Sequence, residues 1–161
     1  MGCRPPFCLY TRYGMIEKVS VKIESSIEDL NAVGMPEGDI EREVTESEGF
    51  YRFDGRDIHL SYSEEREGSK LRTEIISVGN SLRVVRSGAV ESNMYFSEGE
   101  SHRSVYTIPP YSFDATVRTR RIRLELDAGG GKIDLLYNIN IGGADRSARM
   151  KIWISKPLNQ K

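Results

Sequence analysis

Four arginines and one tyrosine are the side chains of this sequence best suited to hold a small anion. They are Arg42, Arg86, Arg120, Arg146 and Tyr106. Each arginine stands two positions from apolar residues in an alternating segment, so period-two alternation turns all four toward the inside of a sheet. Arginine donates hydrogen bonds in a planar fork that suits carboxylate and phosphate groups. The pattern therefore predicts a site for a small anionic or amphipathic ligand.

Acidic residues predicted at the same end of the strands offer these arginines partners within the protein. They are Glu28, Asp29, Glu37, Asp39, Glu64, Glu65 and Asp145. If the carboxylates pair with the arginines, the cluster contributes to the fold and binds no ligand. Internal pairing and ligand capture both stay open at this point.

A second candidate site lies on the opposite faces of the last strands. Its residues are Arg121, Arg123, Arg149, Lys151 and Trp153. Basic side chains beside an aromatic ring can neutralise and stack a single-stranded nucleic acid, or bind a protein. A solvated surface with its tryptophan covered by the N-terminal segment is the alternative. The net charge of −1 gives the whole molecule no strong attraction for nucleic acid, which makes nucleic acid the less favoured partner.

The residues available for catalysis are few. His59 is out of phase with its apolar neighbours and should face solvent, and His102, the other histidine, shares a face with Tyr106 beside a turn. No Cys/His cluster has the spacing of a metal site. The glycines at 129–131 join two strands and so predict a turn, not a phosphate-binding loop. We expect no catalysis, metal or cofactor, and an enzyme using the arginines and tyrosine ranks third among the hypotheses.

Alternating segments joined by turns must position these residues. Residues 118–154 hold three such segments, separated by turn residues at 127–131 and 142–145. About ten short segments of this kind follow one another, and none shows helical periodicity over three turns. The pattern predicts an all-β protein, a single up-and-down antiparallel barrel of about ten strands.

Strand direction then predicts where the arginines lie. In an unbroken meander, all four reach the same open end of the barrel, beside expected long loops at 27–38 and 108–114. Ile40 and Val44 do not share parity with Tyr51 and Phe53, which predicts a bulge near Glu48 and Gly49.

A chain of 161 residues is long enough to bury a core without a disulfide or metal. We expect residues 1–14 to be a disordered tail or an upstream start, and 15–161 to be the barrel domain. Cys3 and Cys8 lie in that tail, which fits a reducing, cytoplasmic location. No apolar run approaches the ~20 residues of a membrane-spanning helix, so we expect no membrane association. Nothing in the sequence indicates an oligomeric state.

Several segments resemble the YwiB-like family, an uncharacterised bacterial group with a calycin, lipocalin-like barrel. The most specific is Arg86-x-Gly88 followed by Met94-x-Phe96. The remaining similar segments are 43–46, 49–51, 58–64 and 106–111. Residues 47–48 look like an insertion, and Ser112 stands where the family tends to have glycine. The resemblance implies the barrel and a bacterial cytoplasmic setting, and it implies no reaction.

Overall fold

The computed structural model describes residues 10–11, 14–31 and 33–156, and these form eleven strands. The strands are β1 Tyr10–Thr11, β2 Gly14–Leu30, β3 Pro36–Phe53, β4 Ile58–Arg66, β5 Ser69–Val78, β6 Ser81–Gly88, β7 Ser92–Phe96, β8 Ser101–Ile108, β9 Tyr111–Asp127, β10 Gly130–Ile141 and β11 Ala144–Ser155. Most of them alternate apolar and polar residues over much of their length, the pattern of a strand with one face buried.

The strands pair antiparallel in the order β7-β6-β5-β4-β3-β2-β11-β10-β9-β8. The two ends of this sheet, β7 and β8, are joined by the turn at 97–100 and meet through backbone hydrogen bonds between Glu91 and Thr107. The barrel is therefore nearly closed. The prediction of a single up-and-down antiparallel barrel of about ten strands is confirmed.

The interior divides into two halves along the barrel axis. The packed half carries the turns at 54–57, 79–80, 97–100 and 128–129, and the mouth half carries the turns at 31–35, 67–68, 89–91, 109–110 and 142–143. One interior row in the packed half runs across Tyr51, Leu60, Ile75, Val84 and Met94, all of them buried. The next interior row toward the mouth includes Tyr62, Thr73, Arg86 and Ser92. The interior therefore changes from apolar to polar between two neighbouring rows of side chains.

The β2–β3 hairpin is longer than its sequence predicts. The expected loop at 27–38 is strand except for residues 31–35, where the Asn31 side chain accepts hydrogen bonds from the Val33 and Met35 amides. The expected loop at 108–114 is likewise only a two-residue turn between β8 and β9. The predicted loop at 27–38 was wrong because polar residues on both faces of a projecting hairpin do not show strand alternation. The predicted loop at 108–114 was wrong because β9 begins directly after the two prolines that end β8.

The predicted bulge near Glu48 and Gly49 is absent, since β2 and β3 pair without a register shift from Arg52 to Glu41. Ile40 and Val44 instead lie on the outer face and are 46% and 54% exposed. A real bulge occurs in β9, where the register shifts opposite Leu136 and Tyr137.

Most of the predicted N-terminal tail lies outside the described residues, including both cysteines. Of residues 1–14, Tyr10 and Thr11 form β1 and pair with Met15 and Gly14 of β2. For residues 1–9 and 12–13, which lie outside the described residues, the disordered tail stays a prediction.

Candidate functional site

A cavity of about 500 Å³ opens at the mouth of the barrel. Its apolar lining comes from Leu71, Met94, Ile139, Ala148 and Met150. Tyr137 also lines the cavity and packs edge-on against Phe96, with ring centroids 4.9 Å apart. The cavity therefore has an apolar floor resting on the packed half.

Arg86 is the half-buried cation of this cavity. It pairs across the strands with Thr73 on one side and Ser92 on the other, and cross-strand partners share a face. Thr73 is 1% exposed and Ser92 is 7% exposed, so Arg86 points inward as predicted. Within the part of the chain that the structure describes, no carboxylate forms an ion pair with Arg86, and the buried Ser92 hydroxyl has no hydrogen-bond partner.

The positive charge of Arg86 influences the pKa values of two tyrosines, Tyr62 and Tyr137. Burial raises the pKa of Tyr62, and the positive charge of Arg86 opposes that rise. Burial likewise raises the pKa of Tyr137, again against the influence of Arg86. Arg86 therefore lies near both phenols, and two carboxylates that also line the cavity, Glu41 and Glu43, form no ion pair with it.

Arg146 also lines the cavity, at its rim, but it has a partner. Its Nε lies 3.1 Å from Oδ1 of Asp29, with both side chains largely in water. Asp29 is one of the acids expected to pair with the arginines, so internal pairing holds for Arg146. Exposed pairs of this kind contribute little to stability.

The prediction that Arg42 turns inward was wrong. Arg42 pairs with Ser26, and Ser26 pairs with Arg149 on the outer face of the barrel. The prediction took Ile40 and Val44 as buried, whereas both are exposed on that outer face. Arg42 only borders the cavity from outside, together with Arg149.

The prediction for Arg120 was also wrong. Leu136 pairs with Arg121 and Tyr137 with Thr119, which leaves Arg120 as the extra residue of the β9 bulge. The less exposed side chains change parity there, from Ala115, Val117 and Thr119 before the bulge to Ile122, Leu124 and Leu126 after it. Arg120 is exposed and does not line the cavity.

Tyr106 lines the cavity from β8, as the sequence predicts. Sequence analysis missed Arg66, which lines the cavity from β4 and bonds through Nη2 to Oε1 of Glu43 at 2.8 Å. Arg66 has the parity of Ile58, Leu60 and Tyr62, so extending that alternation by four residues would have found it.

The outer-face candidates lie on β9 and β11, the two strands that flank β10, and Asp134 of β10 lies between them. Arg149 donates two hydrogen bonds to Asp134, at 3.1 and 2.9 Å. These bonds hold the pKa of Asp134 below its ordinary value. Asp134 also pairs across the strands with Lys151 and Arg123, so much of the basic charge is balanced within the sheet.

Trp153 is already flanked by lysines. The Nζ atoms of Lys22 and Lys132 each lie 5.4 Å from the centroid of its ring. These cation–π contacts occupy the position that a stacked base would take. The outer face is therefore a charged, internally paired surface in this structure.

The histidines take no part in the cavity lining. His59 lies on the outer face, with its Nε2 atom 3.0 Å from Oε1 of Glu74. His102 lies on β8, opposite Val117 of β9, and its ring centroid is 5.9 Å from that of Tyr95 on β7. Among residues 10–11, 14–31 and 33–156, no group of three His, Cys, Asp or Glu side chains could hold a metal ion. The same residues include no helix long and apolar enough to cross a membrane.

Comparison with known proteins gives consistent results. A family model described as Domain of unknown function (DUF1934) matches residues 29–152. The chain is 30% identical over 115 residues to the "Uncharacterized beta-barrel protein YwiB" of Bacillus subtilis (strain 168), a match that covers 70% of this chain and 81% of that protein. The predicted YwiB-like resemblance is confirmed.

A solved structure is also similar to this fold. It is the crystal structure of the ywiB protein from Bacillus subtilis, with a TM-score of 0.76 and 26% sequence identity. The similarity covers 88% of this chain and 93% of that one, so it includes almost the whole barrel.

Proposed function

The chain belongs to the DUF1934 family of domains of unknown function, and we propose that it binds a small amphipathic anion in the cavity at the barrel mouth. The observation that carries this proposal is Arg86, a half-buried guanidinium in the cavity lining without a carboxylate partner among the described residues. A cation held out of water and left unpaired is costly for a protein that has no ligand for it.

The shape of the cavity supports a ligand with two chemically different ends. An anionic head group would accept hydrogen bonds from Arg86 and the Tyr106 hydroxyl, which both line the cavity. An apolar body would contact Met94, Ile139 and Met150 on the floor. A volume of about 500 Å³ is in the range of small-molecule sites.

We also propose that the protein binds its ligand without transforming it. Neither histidine lines the cavity, and its described lining contains no cysteine, which leaves no histidine- or cysteine-based nucleophilic site among those residues. The binding hypothesis needs only the charge, the hydroxyls and the apolar floor.

Thermal shift measurements test the proposal. The melting temperature of the full chain would be recorded with inorganic phosphate, acetate and straight-chain alkyl carboxylates of increasing length. A ligand that binds only the folded state raises the melting temperature, and the longer carboxylates should raise it more than acetate or phosphate.

Two matched variants assign any shift to Arg86. Arg86→Met should abolish the shift, whereas Arg146→Met, which removes an exposed arginine already paired with Asp29, should keep most of it. No shift with any anion, or an equal shift in Arg86→Met and the parent, would contradict the proposal.

A further inference from the structure

One edge of β3 is unpaired over most of its length. β3 pairs with β2 from Arg52 to Pro36, but with β4 only from Phe53 to Gly49. β4 continues to Arg66 paired with β5 alone. Within the described chain, residues 36–48 of β3 therefore form a free edge, with N–H and C=O groups available to another strand.

Among the residues that the structure describes, side-chain hydrogen bonds are what cross the gap between β3 and β4 beyond Gly49. The Ser47 hydroxyl donates to the Ser63 carbonyl at 2.6 Å, and Arg66 reaches Glu43 at 2.8 Å. The seam between β7 and β8 differs, since the turn at 97–100 joins the two strands at one end and backbone hydrogen bonds between Glu91 and Thr107 hold them at the other. The gap beside β3 is thus the place where the barrel wall lacks a strand.

The free edge has a strongly acidic composition. Residues 36–48 contain six carboxylates and one guanidinium, and residues 36–44 are all exposed. Glu41 and Glu43 have the parity of the inner face, while Ile40 and Val44 are exposed on the outer face. Two copies of this edge paired with each other would bring like charges together, which disfavours self-association.

We propose that the free edge of β3 binds an extended, basic segment of a partner protein by strand addition. Such a segment alternates basic residues, which face Glu41 and Glu43, with apolar residues, which cover Ile40 and Val44. Backbone hydrogen bonds to the edge supply affinity, and the alternation of charge and apolar contact supplies selectivity. Glu41 and Glu43 also line the mouth cavity, so this edge forms part of the wall around the proposed anion site while using other side chains than Arg86.

A synthetic peptide tests the proposal on the full chain. The probe is a capped peptide of about ten residues that alternates lysine and valine, roughly the span of the free edge. It should bind at low salt, and hydrogen exchange should show slower exchange of backbone amides within residues 36–48. Absence of binding, or protection confined to other strands, would overturn the proposal.

A second peptide separates strand pairing from charge attraction. It has the same sequence, with N-methyl groups at alternate residues so that one edge donates no hydrogen bonds. Loss of several backbone hydrogen bonds should weaken binding at least about tenfold. Equal affinity for the two peptides would show that only charge is recognised and would overturn strand addition.

A pair of variants locates the site. Glu41→Gln should weaken peptide binding by up to about fivefold, the range of a cross-strand charge pair. Glu125→Gln removes the same charge from an exposed position on β9 and should leave affinity within about twofold. Equal effects of both variants would overturn the assignment to β3.

Discussion

The packed half and the mouth half of the barrel are built from the same strands but filled differently. In the packed half, Tyr51, Leu60 and Ile133 are nearly inaccessible, and the Tyr51 hydroxyl donates to the Asp127 carbonyl at 2.7 Å. In the mouth half, the interior holds Arg86 and a cavity, and the wall between β3 and β4 is open. A barrel can thus concentrate its stability at one end and leave the other free to bind.

The largest expected effect compares two buried leucines. Leu60→Ala in the packed half should lower the free energy of unfolding by about 2–5 kcal/mol, because it leaves a sealed void in close-packed surroundings. Leu71→Ala, which lines the cavity at the mouth, should cost roughly 2 kcal/mol, since the space it vacates joins an open cavity. Urea denaturation of both variants measures the difference. Equal losses would mean that the mouth half is as tightly packed as the other.

The next comparison uses a glycine from each half. Gly131 lies at the start of β10 with φ of +138°, and a Cβ there would meet the Glu125 carbonyl. Gly131→Ala should therefore destabilise by about 3 kcal/mol, the upper end for local backbone strain. Gly143, at the mouth, has φ of +93° with open space around it, so Gly143→Ala should cost only about 1 kcal/mol. Thermal denaturation checks both, and a larger loss for Gly143→Ala would reverse the comparison.

The smallest expected effect concerns tyrosines and alkaline pH. Burial raises the pKa of Tyr51 well above its ordinary value, so the folded state keeps the phenol proton at a pH where the unfolded state releases it. Stability from this group is complete below about pH 10 and is lost as pH rises from there through the folded-state pKa. Melting temperature should fall above about pH 10.

A pair of phenylalanine variants isolates the contribution of Tyr51. Tyr51→Phe should reduce the alkaline loss and, by removing the bond to Asp127, cost about 1 kcal/mol at neutral pH. Tyr111→Phe, at the mouth and 67% exposed, should change neither quantity measurably. An unchanged alkaline transition in Tyr51→Phe would show that other groups cause it.

Sequence alternation predicted the position of some candidate-site arginines and not of others, and Arg86 and Arg120 show why. Arg86 continues an unbroken alternation with Leu82 and Val84, so counting by twos places it correctly inside. Arg120 precedes an equally regular run that begins at Ile122, but Arg120 is itself the extra residue of the β9 bulge and does not share the facing of that run. One extra residue in a strand places every side chain before it on the opposite face of the sheet from the one that counting by twos predicts.

Local sequence determined the strands, their turns and the up-and-down barrel, because alternation and turn residues act over a few positions of the chain. Tertiary structure alone decided that β7 meets β8 to close the barrel and that β3 and β4 stay unpaired at the mouth. Ile40 and Val44 look like core residues in sequence, yet they are exposed because β3 pairs with β2 without a bulge, which places both on the outer face of the barrel. Burial depends on what packs against a face, and that partner comes from a distant part of the chain.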